Sequence, residues 1–535
     1  MTQTATPLPV PLLPLPAIDR SLVTTELTQR AAGAIIGSAV GDALGAPFEF
    51  GPAGKYTARF PQPVIGGTGE MVGGGPWSPG EFTDDTQMAI VQAESLLACG
   101  GLDEADLFAR FRAWSSTAKD VGIQTRAVLG STLAGSAAAT EHYGRTGMAA
   151  GNGSLMRATP TAVLLATGSE ADAIEFARAT SAVTHGDPAA GWGTAIFAVL
   201  VRAALRGDDP WAALGRILAE LPDDQSLYRT ILAADWSPER GMQAPNGPEL
   251  ADGPELPNGT VWTCLAQAVW AVRSTDSFAG AVIAAIDLGG DTDTVAAVTG
   301  GLAGAVHGIA SVPSRWSTYL NGTLTTPDGQ VDYALDDLRD LTARVLGNTH
   351  RRHTRVDGEI LALDGPVNLT ADDLRALLAA AEAKGRHPDL VIGHGPTEIA
   401  PGLHAANLNG ATTVPEDWAV MSLCLVGDVF ADHPVRREIH LVDKDPDGPD
   451  GTGDHNIGLA DAVDDAVASI DAFLAEGRPV VVHCHGGASR TGLVLRAWLM
   501  QANGWTDEEA IEHIRSRWPH LALWSRSFTA HLANR

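Results

Sequence analysis

Between about residues 346 and 390 the hydrophobic period of the chain changes, and that change restricts it to two kinds of domain joined in one protein. From residue 21 to about 346 apolar residues recur at three- and four-residue intervals, as in 88–98, 107–115, 171–182 and 193–204. That is the period of helices with one buried face, and no convincing strand alternation interrupts it. Small residues cluster in the same region, at 31–34, 37–39 and 300–305. Glycine costs a helix interior about 1 kcal/mol relative to alanine, so its repeated use points to helices that approach closely. A compact all-α bundle is expected. Beyond residue 388, β-branched apolar runs take over at 390–392, 419–426 and 479–483, alternating with helical segments near 461–475 and 491–503. Strand then helix, repeated, predicts an α/β domain with a central, mostly parallel sheet.

A chain of 535 residues is long enough for this multidomain plan. The expected division is a Pro-rich N-terminal arm over 1–20, an all-α domain over 21–347, a linker with one short helix over 348–386, and the α/β domain over 387–535. The arm carries five prolines by Pro16 and no early Lys or Arg, so it reads as flexible rather than as a signal peptide. Residues 246–258 read as a surface loop, and the basic patch at 347–353 as a solvated linker. The short helix is expected over 370–384, capped by Thr370. With 45% hydrophobic and 19% charged residues the composition is globular. A net charge of −28 opposes a broad grip on nucleic acid. The four cysteines show no CxxC spacing, which fits a reduced, cytoplasmic protein. No run approaches the roughly 20 uninterrupted apolar residues of a membrane span.

Two helix starts carry the same chemistry. Phe82-Thr83-Asp84-Asp85-Thr86 opens one helical run and Gly290-Asp291-Thr292-Asp293-Thr294 another. Each alone is either a helix cap or an ion site, because acidic residues favour the positive end of the helix dipole. Brought together, four carboxylates would repel at short range unless a cation joins them. Hard oxygen donors suit Mg²⁺, Mn²⁺ or Ca²⁺ rather than zinc.

In order along the chain stand Gly37-Ser38-Ala39-Val40-Gly41-Asp42-Ala43-Leu44-Gly45-Ala46-Pro47-Phe48-Glu49, the Thr83–Thr86 cluster, Gly151-Asn152-Gly153-Ser154-Leu155-Met156-Arg157, Thr184-His185 and the Asp291–Thr294 cluster. Together they resemble the ADP-ribosylglycohydrolase family, which includes the dinitrogenase reductase-activating glycohydrolase. The resemblance implies a binuclear Mg²⁺ centre, with Mn²⁺ as the alternative ion. Its ligands would be Thr83, Asp84, Asp85, Asp291, Asp293 and Thr294, with Asp293 bridging. It further implies Glu49 as an acid near the metals, Asn152, Gly153 and Ser154 as a loop that holds ADP-ribose, and His185 as a pocket residue. Read on its own, His185 in Thr-His-Gly-Asp-Pro is equally a turn histidine.

A second constellation lies near the other end. Val480-Val481-Val482-His483-Cys484-His485-Gly486-Gly487-Ala488-Ser489-Arg490-Thr491-Gly492 runs from a strand through a Gly-rich loop into a helix. Such a loop wraps backbone N–H groups round an oxyanion, Arg490 adds a bidentate clamp, and the same field activates a thiolate. The loop resembles that of dual-specificity and tyrosine-type cysteine phosphatases, with residues 399–407 similar to their first strand and turn. The resemblance implies Cys484 as nucleophile, Arg490 as phosphate clamp, Thr491 in thiolate release and His483 in tuning the thiol. Asp454, 30 residues upstream of Cys484, resembles the general acid, with Asp443, Asp445, Asp447 and Asp450 as alternatives. A bifunctional hydrolase is expected, acting on an ADP-ribosylated protein or small molecule and on a phosphorylated substrate. The alternative is an ADP-ribose reader that delivers a phosphatase to marked partners.

Overall fold

Two helices in backbone contact carry the first domain. Helix α1 (Thr25–Gly45) starts where Thr24 Oγ1 accepts the Leu27 N–H at 3.1 Å. Three further helices matter to the site and its surroundings: α2 (Asp84–Cys99), α3 (Thr292–His307) and α4 (Leu335–Val345). The computed structural model describes residues 12–147, 149–238, 257–326, 329–356, 359–364, 393–443 and 456–535. The helix expected over 370–384, the strand at 390–392 and most of the loop at 246–258 lie outside them.

Helices α1 and α3 run antiparallel, with Gly33 against Gly304, Gly37 against Gly300, Gly41 against Ala296 and Gly45 against Thr292. A four-residue spacing puts all four α1 glycines on one face. A Cβ on Gly304 would stand 1.9 Å from the Gly33 carbonyl oxygen, and one on Gly41 2.0 Å from that of Ala296. The antiparallel register sets the C-terminal end of α1 beside the N-terminal end of α3, where Thr292 Oγ1 donates to the Gly45 carbonyl at 2.9 Å. By length and mean composition Thr25–Phe48 and Pro188–Leu205 would pass as membrane-crossing helices, although Glu26, Arg30 and Asp42 interrupt the first and Arg202 the second. Their most apolar windows are 94% and 83% buried within the protein, so that apolarity belongs to the domain core.

Three segments depart from expectation. Leu13–Pro14 pairs with Gly101–Leu102, and Arg20 Nη1 donates to Asn348 Oδ1 at 2.8 Å, so this part of the arm is bound. Proline lacks a donor, which an edge strand does not need. A hairpin of Asn321–Thr326 and Gly329–Ala334 interrupts the helices. Only Gly322 and Leu324 of its first strand are buried, too few to read as a strand in the sequence. In the basic patch, His350 is buried and lies 3.0 Å from Asp336 Oδ1, and Arg351–Val356 pairs with Glu359–Asp364.

The second domain is built on a five-stranded sheet of β1 (Thr397–Ala400), β2 (Leu403–Asn407), β3 (Ala419–Ser422), β4 (Arg436–Glu438) and β5 (Val480–Cys484). Its order is β4-β3-β5-β2-β1, parallel except for the antiparallel β1–β2 pair. Helices α5 (Leu459–Ala475) and α6 (Ser489–Asn503) flank β5 in the chain. Strand β5 is buried along its whole length, which is why it reads as an uninterrupted apolar run. The domains touch through part-buried polar contacts. Arg437 Nη2 donates to the Ile65 and Gly67 carbonyls at 2.6 and 2.9 Å, and Ser314 N to Asp465 Oδ2 at 2.9 Å.

Substituting Gly304→Ala forces a methyl into the Gly33 carbonyl and is expected to destabilise the chain by about 1–3 kcal/mol or more, the usual scale of overpacking. Gly215→Ala, in a helix with open space around the added methyl, is expected to stabilise by about 0.5–1 kcal/mol. Urea melts of the two variants measure both; equal effects would contradict the close-contact account.

Candidate active sites

The first site grows from one buried carboxylate near the end of α1. Asp42 is fully buried and accepts the Thr83 N–H at 3.0 Å, the Thr86 N–H at 3.0 Å and the Thr86 hydroxyl at 2.6 Å. It thereby ties the first turn of α2 to α1. Thr83 is the N-cap of α2, and Asp84 and Asp85 occupy the first turn, so the cap reading and the clustering of carboxylates hold together. Just past α1, Phe50 N donates to the Gly290 carbonyl at 2.6 Å and Gly290 N to that of Gly51 at 3.0 Å. This pairing sets Glu49 beside the start of α3. One carboxylate oxygen each from Glu49, Asp291 and Asp293 lie within 4.8 Å of one another. The Thr83 and Thr294 hydroxyls both lie 3.5 Å from Asp85 Oδ2.

These groups border a cavity of about 450 Å³ whose described lining includes no Lys or Arg. Burial, reinforced by Asp291, Asp120 and Asp42, pushes the Glu49 carboxyl up to about 7. Burial and then Asp120, Asp42, Asp291 and Glu49 push Asp84 up to about 8. Asp85 and Asp293 are fully buried and raised well above the usual carboxylate range, first by burial and then by the neighbouring acids. Asp85 Oδ1 is buried without a hydrogen-bond partner among the described residues. A cluster of this kind carries more negative charge than its surroundings compensate, and its donors are the hard oxygens that Mg²⁺ and Mn²⁺ accept. The donor set fits a divalent cation.

The opposite wall is the 3₁₀ turn Asn152–Ser154. Asn152 Nδ2 donates to Asp291 Oδ2 at 2.8 Å and so connects the turn to the acid cluster. Gly153 lies against the His185 ring, where a Cβ would stand 3.1 Å from Cε1. His185 is fully buried, lines the cavity and is held neutral, its pKa driven well below the ordinary value by burial and then by Arg157 and His142. Nδ1 lies 2.8 Å from Thr184 Oγ1. Ser154 differs from the expectation. It does not line the cavity, because its hydroxyl bonds Ser181 and Thr194 at 2.8 and 3.2 Å between two packed helices. Thr83 does not line the cavity itself, but its hydroxyl stays 3.5 Å from the cavity-lining Asp85.

Three residues without an assigned role in the sequence reading matter here. Asp42 is one. Arg157 is fully buried and joins the Gly153 carbonyl, the Thr180 carbonyl, Thr184 Oγ1 and Gln92 Oε1 at 2.8–3.1 Å, fixing the turn and His185 in place. Asp120 lines the mouth of the cavity on an exposed loop. A charged residue inside an apolar helix flags Asp42, since full burial demands partners; nothing in the sequence around Asp120 marks it.

The second site follows β5. Cys484 ends the strand, is 2% exposed, and is followed by a loop that Leu408 N and Trp518 Nε1 hold through the His485 and Gly487 carbonyls at 3.2 and 2.7 Å. Gly487 has φ 67° and packs against the Ala406 carbonyl, a place with no room for a side chain. His483 is buried, 2.8 Å from Ser422 Oγ through Nε2, and pushed down to about 3 by burial, His485 and Arg490. Arg490 Nη1 donates to the Leu441 carbonyl at 3.2 Å, and Nε lies 3.7 Å from Asp443 Oδ2. Thr491 Oγ1 is buried without a hydrogen-bond partner among the described residues. Asp454, Asp445, Asp447 and Asp450 lie outside the described residues. Asp443, the remaining alternative acid, also accepts Trp524 Nε1 at 2.9 Å.

The ADP-ribosylglycohydrolase family model matches residues 23–354, and the model of the dual specificity phosphatase catalytic domain matches 434–534. The chain is 30% identical over 308 residues to the ADP-ribosylarginine hydrolase Tri1 of Serratia proteamaculans (strain 568), covering 55% of this chain and 75% of that protein. It is 31% identical over 297 residues to the ADP-ribosyl-[dinitrogen reductase] glycohydrolase of Rhodospirillum rubrum, covering 55% and 90%. A solved structure described as an ADP-ribosylglycohydrolase-related protein complex aligns over 61% of this chain and 99% of that one, at 32% identity and a TM-score of 0.41. With its family match spanning more than half its length, and with the acid cluster and the Cys484 loop each formed, the chain belongs to the ADP-ribosylglycohydrolase family and joins to it a dual specificity phosphatase domain, a hydrolase with two activities.

Proposed function

We propose that the first domain removes ADP-ribose from an arginine side chain with the help of two divalent ions, Mg²⁺ or Mn²⁺, and that the second hydrolyses a phosphomonoester through Cys484. The observation that carries the first reading is the convergence of two acidic helix starts and Glu49 on one cavity. Asp84, Asp85, Asp291, Asp293 and the Thr83 and Thr294 hydroxyls would hold the ions. When bound, the ions supply positive charge that anchors the ribose hydroxyls and polarises water. The Asn152–Gly153 turn and neutral His185 shape the wall against which the ADP-ribose lies. Glu49, half-buried and raised, takes a proton from the water that attacks the anomeric carbon, and as the bond from that carbon to the guanidino nitrogen breaks the departing guanidine takes up the proton. Arginine as the acceptor is supported by the relative described as an ADP-ribosylarginine hydrolase and by the exposed Asp120 carboxylate at the mouth, a partner for a guanidinium. Relatives described as hydrolases favour turnover over a reader that only binds.

In the second domain the Cys484 thiolate attacks phosphorus, Arg490 grips the phosphoryl oxygens, Thr491 Oγ1 assists departure of the thiolate, and Asp454 protonates the leaving oxygen. A reducing, cytoplasmic setting suits its thiol chemistry; the four cysteines are free. No residue of the second domain lines the first cavity among the described residues, so the two reactions use separate sites.

Asp293→Ala is expected to lower ADP-ribose release from an ADP-ribosylarginine protein by at least about 100-fold, with aryl-phosphate hydrolysis retained. Survival of the release would refute the metal reading. Cys484→Ser is expected to abolish aryl-phosphate hydrolysis and leave ADP-ribose release intact; residual phosphatase activity at the wild-type rate would exclude the thiolate.

The raised carboxyls also predict a pH dependence. Glu49 at about 7 and Asp84 at about 8 stand above their ordinary 4.5 and 3.8. The folded, metal-free chain therefore holds protons that the unfolded chain has released, and stability falls as pH rises from about 4 through about 8. The thermal midpoint of the metal-free chain is expected to fall between about pH 5 and 8, and saturating Mg²⁺ to flatten that slope. An Mg²⁺-independent slope would contradict the site.

A further inference from the structure

The phosphatase sheet ends in β4, and the first domain covers that edge. Tyr319 Oη lies 3.1 Å from the Arg436 carbonyl, Thr318 Oγ1 accepts the Glu438 N–H at 3.0 Å, and Arg437, fully buried, donates to carbonyls at Ile65 and Gly67. The Glu438 carboxylate accepts Arg339 Nη1 of α4 at 2.7 Å, with the two side chains 9% and 5% exposed. Asp336 Oδ1 lies 3.7 Å from the same guanidinium nitrogen and 3.0 Å from His350 Nε2. A buried, charge-assisted pair of this kind fixes geometry because neither partner has water to turn to.

From Glu438 the chain runs directly to the groups that hold Arg490. Ile439 N donates to the Ser422 carbonyl at 2.9 Å. His440, half-buried, lies near Arg339 and Arg490, whose positive charges add to burial in keeping its ring neutral. Leu441 gives its carbonyl to Arg490, and Asp443 places its carboxylate beside Arg490 Nε. A strand-like segment of five residues thus carries at one end a clamp from the first domain and at the other the backstop of the phosphate-binding arginine.

We propose that Arg339 is a positioning residue of the phosphatase: by holding Glu438 it fixes the 439–443 segment that aims the Arg490 guanidinium at the phosphoryl group. This rests on the phosphatase reading of the Cys484 loop. The first domain then forms a working part of the second active site, and a change remote from the acid cluster affects only the phosphatase.

The test uses the full chain with Arg339→Met, Arg339→Lys and the milder Glu438→Gln. Arg339→Met is expected to lower aryl-phosphate kcat/KM by about 10–100-fold, the cost of a small misplacement of a catalytic group. Affinity for vanadate, the oxyanion probe for the Arg490 clamp, is expected to fall with it. ADP-ribose release should stay within about twofold, and Arg339→Lys should recover part of the phosphatase rate because it keeps the charge. Hydrogen exchange over 439–443 and 484–491 should quicken in Arg339→Met and Glu438→Gln. Unchanged phosphatase kinetics and exchange would overturn the proposal, as would parallel loss of both activities in Glu438→Gln. A wild-type chain with no aryl-phosphate turnover would sink the phosphatase reading, while the exchange comparison still decides whether Arg339 positions the segment.

Discussion

Backbone contact between α1 and α3 is the constraint on which the first active site depends. Glycines every four residues let the helices meet without side chains between them, and the antiparallel register places Gly45 beside Thr292. Glu49 follows one end and Asp291 and Asp293 begin the other. Asp42, one turn before the end of α1, draws in the first turn of α2 with Asp84 and Asp85. Three acidic segments separated by up to 244 residues thus meet through two packing relations. Their charge is the consequence: buried acids with no Lys or Arg among the described residues lining the cavity are raised towards neutrality, and a divalent cation would relieve what protons otherwise must.

The second site depends on a different element, the C-terminal end of a buried parallel strand. There the chain leaves β5 into the Gly-rich loop that leads to Arg490, at the edge where open α/β sheets bind their ligands. The walls of that site are not all its own. Strand β4 leans on Thr318 and Tyr319, and its Glu438 on Arg339, so the fusion is a shared piece of structure as well as a joined sequence.

What could be read from the sequence was what short-range pattern encodes. Helical period, the strand and helix runs, each Thr-Asp cluster and the Cys484–Arg490 loop are each recognisable from a short local stretch of chain. Contacts that join distant segments were not legible. Glu438 and Arg339 are 99 residues apart and belong to different domains. Asp120 sits in an exposed loop whose residues carry no pattern. Ser154 shows the converse: its motif marks the turn correctly, yet its hydroxyl serves helix packing, because a motif fixes the backbone path and not the direction of each side chain. The hairpin at Asn321–Ala334 was hidden by its polar, half-exposed strands, and the arm at Leu13–Pro14 by the association of proline with flexibility.

The central claim is that the two acidic helix starts make one metal centre. Calorimetric titration of the metal-free chain with Mn²⁺ tests it most directly. The account predicts saturable binding near two ions per chain, lost in Asp85→Asn and unaffected in Cys484→Ser. Binding that persists unchanged in Asp85→Asn, or a metal-free chain that takes up no Mn²⁺ yet releases ADP-ribose, would contradict it.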